Sequence, residues 1–189
     1  MYKLYYKITL LLKRILHYDK PLRIALLAYL SLKFKTFPYY ESILYEACRE
    51  AKKLNIDRVS VLELGVAGGN GIIALEKYKK KIEKVLDINI DIIGFDTGEG
   101  LPRTDTVNED LPFFWRTNLY KMDKEEVSKL TNSKIFYGDV KDTVDDFVKV
   151  NKNKICCIFF DLDLYTSTIN FLNQIPKIDK YLLPRTLCY

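Results

Sequence analysis

The chain has 189 residues, 48% of them apolar, so it is long enough to bury one sizeable core. Its net charge of +5 is uneven: residues 1–35 hold eight of the 30 Lys and Arg residues against Asp19 alone, leaving 22 basic and 24 acidic residues elsewhere. A nearly neutral body argues against the basic face of a nucleic-acid-binding domain. We therefore expect no nucleic-acid partner.

The basic residues belong to a helical leader, residues 1–39, which precedes a predicted core domain at residues 40–189. Its longest uncharged run, residues 24–32, is far shorter than the ~20 residues that a membrane span needs. Charges also interrupt it too early for a secretory signal. We expect two amphipathic helices that meet near Pro21. Two roles stay open: packing on the body or on a second subunit in a homo-oligomer, and peripheral contact with an anionic membrane surface.

The cysteines and the histidine exclude several kinds of site. Cys156 and Cys157 are neighbours in an apolar run, where they would point to opposite faces of a strand, and the four cysteines show no framework spacing. Buried, reduced thiols are typical of a cytoplasmic protein. The one histidine, His17, lies in the leader. Its position excludes Ser-His-Asp, Cys-His and multi-histidine metal sites.

After the leader, apolar runs alternate with charged amphipathic stretches, a pattern typical of strand–helix units. The strands that we predict are 59–64, 90–95, 134–137, 155–160 and a fifth from Thr186, and the helices are 40–54, 71–86, 124–130, 143–150 and 168–175. Asp123 and Glu126 resemble a capping box at the start of one helix. The predicted fold class is α/β: a Rossmann-like, three-layer open parallel sheet with helices on both faces. The chain stops at Tyr189 in the opening of a strand, so we expect its C-terminal part to be missing.

Four carboxylates stand at or just beyond the ends of four predicted strands: Glu63, Asp96, Asp139 and Asp161. These ends line the ligand crevice of an open parallel sheet. A single acid there means little, but the four converge with the glycines of residues 61–71, VLELGVAGGNG. Glycine allows unusual dihedrals and lets a ligand approach main-chain N–H groups closely.

Two cofactors suit such a loop. Residues 69–74, GNGIIA, match the G-x-G-x-x-A form of the dinucleotide fingerprint, which would make the chain an NAD-dependent oxidoreductase. The match begins five residues after the predicted strand end at Leu64, which is late. Clustered carboxylates would also repel a pyrophosphate, whereas S-adenosylmethionine carries a sulfonium, an ammonium, a ribose diol and no phosphate. Charge therefore favours S-adenosylmethionine.

The loop has the acid-then-spaced-glycine form of class I methyltransferases, with Ala67 where the middle glycine often stands. Asp96 is then placed to accept both ribose hydroxyls, and Asp139 to lie beside the adenine. The cofactor-binding residues that we expect are Glu63, Gly65, Ala67, Gly69, Asn70, Asp96, Thr97 and Asp139.

Four segments, residues 62–71, 94–102, 137–140 and 159–168, resemble the macrocin O-methyltransferase (TylF-like) type of class I S-adenosylmethionine-dependent methyltransferases. The resemblance covers roughly residue 40 to the end. It implies ribose binding by Asp96, and it implies that Asp161, in FFDLDLYTST, is a magnesium ligand and candidate base. It also implies methyl transfer to a hydroxyl of a small acceptor, such as a sugar or glycoside.

A metal has a physical purpose in this chemistry. A carboxylate with a pKa of about 4 is too weak to draw the proton from an alcohol unaided. A divalent cation that binds the hydroxyl oxygen lowers its pKa, and Mg²⁺ is commonly held by one or two carboxylates with waters. Related enzymes add further acids at the end of the fifth strand, which this chain lacks. We therefore predict a feeble catalyst, and a non-catalytic cofactor-binding fragment remains an alternative.

Two segments beside the predicted crevice have open roles. We expect Asp163 to cap the helix that follows it, with Tyr165 and residues 166–168 as the helix start. Residues 111–120, LPFFWRTNLY, hold the only tryptophan, Trp115, within a long insert between the second and third strands. This insert is either a lid over the acceptor or aromatic packing against the sheet and leader.

Overall fold

The computed structural model describes residues 37–103 and 107–189. The two predicted leader helices, and the subunit or membrane contact expected of them, lie outside these residues. Among the helices that are described, none is long and apolar enough to cross a membrane.

Helices and strands alternate along the described chain. Their order is α1 (Pro38–Lys53), β1 (Arg58–Leu64), α2 (Asn70–Leu86), β2 (Asn89–Asp96), a 3₁₀ turn (Asn108–Asp110), α3 (Lys124–Leu130), β3 (Lys134–Tyr137), α4 (Val140–Val150), β4 (Lys154–Phe160), α5 (Tyr165–Leu172), α6 (Ile175–Ile178), a second 3₁₀ turn (Asp179–Tyr181) and β5 (Leu182–Cys188).

The five strands form one parallel sheet in the order β3-β2-β1-β4-β5. The predicted fold class, a Rossmann-like open parallel sheet, is confirmed. Strand β1 lies at the centre, and Leu64 at its end is opposite Phe95 of β2 and Phe160 of β4. The strand order reverses between β1 and β4, and ligands of such sheets bind at the carboxyl ends beside this reversal.

Helices cover both faces of the sheet. Helices α1 and α2 pack together on one face, and α1 also contacts β4 and β5, whereas α4 contacts β2, β3, α5 and α6 on the other face. Val61 belongs to the core under α1 and α2, and Leu62 to the core under α4 and α5. Burial on both faces explains why β1 and β4 are nearly continuous apolar runs.

Element boundaries show where the sequence misleads. Strand β3 and helix α3 have the predicted bounds, and β1, β2 and β4 begin one residue early. Strand β5 begins at Leu182 rather than Thr186. Pro184 argued against a strand in the sequence, but β5 lies at the edge of the sheet, where proline is tolerated. Helix α4 begins at Val140 rather than 143, and α5 covers Tyr165–Leu172 rather than 168–175.

The cysteines depart from the prediction in two ways. The register of β4 shifts against β1, where Ile155 is opposite Ser60 and Cys157 is opposite Val61, which makes Cys156 an extra, bulged residue. Cys156 and Cys157 therefore share the core cluster of Cys48 instead of pointing to opposite faces. These three thiols are free and buried, but Cys188 is free and exposed.

Candidate functional site

A cleft of about 330 Å³ opens at the carboxyl ends of β1, β2 and β4. Its walls are the turn after β1, the turn after β2, the start of α4 and the residues that lead into α5. Four carboxylates line it: Asp96, Asp139, Asp161 and Asp163. None of the described lining residues is Lys, Arg or His. Three of the four predicted acids, Asp96, Asp139 and Asp161, therefore converge here, and the cleft wall is electronegative.

Gly65 is the residue that brings the two central strand ends together. It has a φ of +88°, and a Cβ at this position would lie 2.2 Å from the main-chain oxygen of Asp161. Its N–H donates to the Phe95 carbonyl (2.8 Å), while the Asp161 N–H donates to the Leu64 carbonyl (2.9 Å). Only glycine fits this turn, because both the dihedral and the close backbone approach exclude a side chain.

Asp96 stabilises the glycine turn after β1 by accepting hydrogen bonds from its main chain. Its Oδ2 accepts N–H groups from Val66 and Ala67, both at 2.8 Å, and its Oδ1 accepts the Gly98 N–H at 2.6 Å. Each carboxylate oxygen accepts about two hydrogen bonds, so Oδ2 is saturated and Oδ1 has one position left. One ribose hydroxyl could bind Oδ1 without disturbing the turn. Binding both hydroxyls would require the turn to release Oδ2.

Thr97 and Asp139 line the same cleft but also serve their own loops. The Thr97 hydroxyl donates to the Gly100 carbonyl at 2.7 Å. Asp139 is the N-cap of α4 and accepts the Lys141 N–H at 3.0 Å, and this cap accounts for the early start of that helix. The Asn170 amide approaches the second Asp139 oxygen at 3.3 Å.

Glu63 is not on the cleft surface. It is 1% exposed, and its Oε2 has no hydrogen-bond partner among the described residues. The carboxyl lies beneath the first turn of α2, where a Cβ on Gly71 would come within 1.9 Å of Oε1. Burial, and then the negative charge of Asp161, raise the pKa of Glu63 well above its ordinary value. Gly71 is thus a glycine because it leaves room for this carboxyl group.

Tyr40, from the first turn of α1, lies between Glu63 and Asp161. Its hydroxyl donates a long hydrogen bond of 3.4 Å to Asp161 Oδ2, and its ring packs on Phe159 with centroids 4.3 Å apart. Burial raises the pKa of Tyr40, with a further contribution from the charges of Glu63 and Asp161. Tyr40 is therefore a neutral donor, and it connects the buried Glu63 to Asp161, which lines the cleft.

Asp161 faces the cleft itself. Desolvation by the surrounding walls raises its pKa, although the hydrogen bond from Tyr40 acts in the opposite direction. Desolvation likewise raises the pKa of Asp163, with a smaller contribution from Asp161. A carboxylate with a raised pKa is a stronger base than an ordinary aspartate.

The prediction that Asp163 caps the next helix is wrong. Helix α5 begins at Tyr165, and its N-cap residue Leu164 makes no side-chain cap. Asp110, buried in the 3₁₀ turn of the insert, accepts the Thr166 N–H at 2.7 Å instead. This leaves the Asp163 side chain exposed at the cleft. The insert is therefore fastened to the wall of the cleft.

Two aromatic residues of the insert, Phe113 and Phe114, do not pack on the sheet. Phe113 is 83% exposed and Phe114 is 64% exposed. Trp115 stacks edge-on against Phe114 and lies 6.2 Å from Tyr120, which lines the cleft. For Phe113 and Phe114, packing against the sheet is excluded.

The described residues do not form a full metal site. They contain no group of three Asp, Glu, His or Cys side chains that could hold a metal ion. Asp161 and Asp163 share the cleft, but Glu63 is buried behind it.

The structure brings together five of the predicted cofactor-binding residues, and these are Gly65, Ala67, Asp96, Thr97 and Asp139, next to Asp161. Glu63, Gly69 and Asn70 do not line the cleft. Tyr40 and Asp110 could not be identified from sequence alone, because their partners are 121 and 56 residues away in the chain.

Comparison with known proteins places the fold. The chain is similar to the crystal structure of CalS11, a calicheamicin methyltransferase, with a TM-score of 0.58 and 21% identity over 92% of this chain and 73% of that chain. An apo structure of CalS11, a TDP-rhamnose 3'-O-methyltransferase of calicheamicin biosynthesis, gives a TM-score of 0.48 and 22% identity over 91% of this chain and 72% of that chain. No protein-family model and no curated protein matches the chain. At this level of identity the first comparison establishes the fold alone.

Proposed function

We propose that this chain is an S-adenosylmethionine-dependent O-methyltransferase, of the TylF-like type, that methylates a hydroxyl of a small acceptor such as a sugar. The observation that carries the proposal is the charge of the cleft. Four aspartates and no described basic residue line it, at the strand ends where a cofactor of this fold would bind.

The charge separates the two cofactors that suit a glycine turn. A sulfonium and an ammonium group gain from nearby carboxylates, whereas the pyrophosphate of NAD would be repelled by them. In the described structure, the N–H groups of Val66 and Ala67 point at Asp96, so a phosphate could not use them without displacing a carboxylate. An NAD-dependent oxidoreductase is therefore the weaker candidate.

The cleft residues fit S-adenosylmethionine, which supplies an electrophilic methyl group when bound. Asp96 Oδ1 would accept a ribose hydroxyl, and Asp139 would lie by the adenine. Asp161 would orient the acceptor hydroxyl and take its proton, a role that its desolvated position favours. Tyr40 would hold Asp161 Oδ2 while its other oxygen faces the acceptor.

The acceptor class rests on one support, the resemblance of the segment around Asp161 to that of macrocin O-methyltransferases. The fold neighbour CalS11 is a methyltransferase, which supports methyl transfer but not the choice of acceptor. Magnesium assistance, with Asp161 as one ligand, is a separate prediction. Because the described residues do not complete a metal site, we assign no step to a metal.

The first test is calorimetric titration of the chain with S-adenosylhomocysteine and, separately, with NAD. We expect S-adenosylhomocysteine alone to bind. Replacing Asp96 with Asn should weaken that binding about 10- to 100-fold, because a charged hydrogen-bond acceptor is lost. The matched control is Asp91→Asn at the other end of β2, where the carboxylate pairs with Arg58 on the surface. Tighter binding of NAD than of S-adenosylhomocysteine would overturn the proposal.

The second test is turnover with a panel of sugar acceptors and labelled S-adenosylmethionine, with and without Mg²⁺. Asp161→Asn should abolish transfer while leaving binding of S-adenosylhomocysteine within a few-fold of the original. This measurement also tests the prediction that the chain is a feeble catalyst. Cofactor binding without transfer to any acceptor would favour a non-catalytic binding role.

A further inference from the structure

The strand order divides the carboxyl end of the sheet into two halves. Strands β1, β2 and β3 form one half, and Gly65, Asp96 and Asp139 stand at or just beyond their ends. Asp161 follows β4 on the other side of β1, and β5 lies beyond β4 at the edge of the sheet. A cofactor held by the first half therefore leaves Asp161 between itself and the end of β5.

This division gives the acceptor a direction. Methyl transfer to oxygen is an in-line displacement, so the acceptor hydroxyl must lie on the side of the methyl group that faces away from the sulfur. The proposed function, on which this inference rests, puts that hydroxyl at Asp161. Because the cofactor fills the space toward β1 and β2, the rest of the acceptor extends from Asp161 toward β5.

Two partly exposed tyrosines lie in that direction, and we call them the tyrosine pair. Tyr189 directly follows β5, and Tyr39 is in the first turn of α1. Their rings are nearly parallel, at an angle of 17° with centroids 6.3 Å apart. Tyr189 is 50% exposed and Tyr39 is 39% exposed. Each ring therefore offers part of an apolar surface and a hydroxyl group to a ligand.

Tyr40 connects the tyrosine pair to Asp161. Its ring meets the Tyr189 ring edge-on with centroids 5.7 Å apart, and its hydroxyl lies 3.4 Å from Asp161 Oδ2. Tyr40 itself is 5% exposed, so it offers little surface to a ligand. The tyrosine pair is thus accessible aromatic surface one side chain away from the proposed base.

The position of Tyr189 is fixed by the sheet. Its N–H donates to the Ile158 carbonyl at 3.0 Å, and its carbonyl accepts the Phe160 N–H at 2.7 Å. Its ring also packs on the buried ring of Phe159, with centroids 6.1 Å apart. An aromatic surface that is held in place before binding reduces the entropy cost of ordering a ligand on it.

We propose that the tyrosine pair is the acceptor-binding surface, on which the C–H face of a sugar ring packs while the reacting hydroxyl reaches Asp161. One face of a sugar ring presents C–H groups, and its rim carries hydroxyls. The tyrosine rings suit the first, and the carboxylates of Asp161 and Asp163 and the phenol hydroxyls suit the second. A planar phenol would also stack on the rings, but it carries fewer hydroxyls for these polar partners.

The test is saturation-transfer difference NMR of the chain with S-adenosylhomocysteine bound. The probes are methyl α-D-glucopyranoside, methyl α-D-galactopyranoside and methyl α-L-rhamnopyranoside, with catechol as the planar competitor. We expect at least one glycoside to bind. Tyr189→Leu and Tyr39→Leu should each weaken its binding about fivefold, because leucine is apolar but has no planar face. Calorimetry should show unchanged binding of S-adenosylhomocysteine.

Two further variants serve as matched controls. Tyr189→Phe keeps the ring and should keep glycoside binding within about twofold. Tyr137→Leu removes an exposed tyrosine that ends β3, at the opposite edge of the sheet, and should bind the glycoside like the original chain. Urea denaturation checks that each variant folds.

Four outcomes would overturn the inference. Equal glycoside binding by the leucine variants and the original chain would place the acceptor elsewhere. A parallel loss of S-adenosylhomocysteine binding in the leucine variants would make the tyrosine pair a structural support. Tighter binding of catechol than of any glycoside would exclude the sugar. No glycoside binding by a chain that holds S-adenosylhomocysteine would end this inference alone, whereas failure of S-adenosylhomocysteine to bind would end the proposed function as well.

Discussion

The two ends of the parallel sheet differ in the charged residues that line them. At the amino ends of the strands lies an open groove of about 750 Å³, more than twice the volume of the cleft of about 330 Å³ at the carboxyl ends. The groove is lined by five basic and three acidic residues; among them, Arg58 pairs with Asp91 at 2.9 Å, and Glu76 accepts the Ser133 hydroxyl at 2.6 Å. The charge balance of the groove is therefore positive, whereas that of the cleft is negative.

The cleft has the opposite character. Asp96 is held by main-chain N–H groups, Asp139 lies 3.4 Å from the Lys141 ammonium, and Asp161 and Asp163 face the open space. Behind them lies the buried carboxyl of Glu63, whose Oε2 accepts no hydrogen bond from the described residues. Acids that converge with raised pKa values, as Glu63, Asp161 and Asp163 do, are typical of functional sites. Volume alone would have selected the wrong end of the sheet.

The largest effect on the cleft is expected from Gly65→Ala. The new Cβ would lie 2.2 Å from the Asp161 main-chain oxygen, at a residue with a φ of +88°. Because the clash is with main chain, it can be relieved only by a shift of the backbone. We expect the free energy of unfolding to fall by about 3 kcal/mol and S-adenosylhomocysteine binding to be lost. Urea denaturation and calorimetry measure the two effects.

Gly68→Ala, three residues along the same turn, is the matched control. A Cβ there has no described atom within 4 Å. Its unfolding free energy should stay within about 1 kcal/mol of the original. Equal losses in the two variants would mean that the turn is merely sensitive to any substitution.

A smaller, pH-dependent effect should follow Glu63→Gln. The pKa of Glu63 is raised by burial and by Asp161, so the folded chain keeps a proton that the unfolded chain releases above the ordinary value of 4.5. Stability from this group is complete below that pH and is lost as pH rises toward the folded pKa. Glutamine stays neutral, so its stability advantage over the original chain should grow with pH.

Urea denaturation between about pH 5 and pH 9 tests this prediction. Glu125→Gln, on the exposed face of α3, serves as the control, because it alters only a surface pair with Lys129. A pH-independent difference between Glu63→Gln and the original chain would show that Glu63 does not hold its proton in the fold.

The smallest effect is expected at the amino end. Arg58→Ala removes an exposed pair with Asp91, so it should change the unfolding free energy by less than about 1 kcal/mol. Binding of S-adenosylhomocysteine should be unchanged in calorimetry. Loss of binding in this variant would link the groove to the cofactor and remove the contrast between the two ends.

Much of the sheet could be predicted because its signals are local. Strands buried on both faces are apolar runs with clear ends. The start of helix α3 is indicated by Asp123, whose side chain accepts the Glu126 N–H at 2.9 Å. Strand β5 was partly missed, since Pro184 reads as a break until the edge position is known. The rule that parallel strands end at one edge was enough to gather Asp96, Asp139 and Asp161.

The direction of Glu63 was also within reach of the sequence. Alternate strand residues share a face, and Glu63 follows Val59 and Val61, which lie under α1 and α2. The carboxyl had to point beneath those helices and not into the crevice. Tyr40 and Asp110 were out of reach, because nothing near them in the chain indicates contacts with Asp161 or Thr166.

Asp110 has a consequence for how the molecule responds to ligands. One carboxylate completes the insert and also the first turn of α5, which lines the cleft through Leu164 and Ser167. Displacing the insert would leave the Thr166 N–H without its acceptor, so the conformational free energy of the insert is coupled to that of the start of α5. If a partner at the insert favours one arrangement, it changes cofactor affinity by some factor, and the cofactor must change the partner's affinity by that same factor.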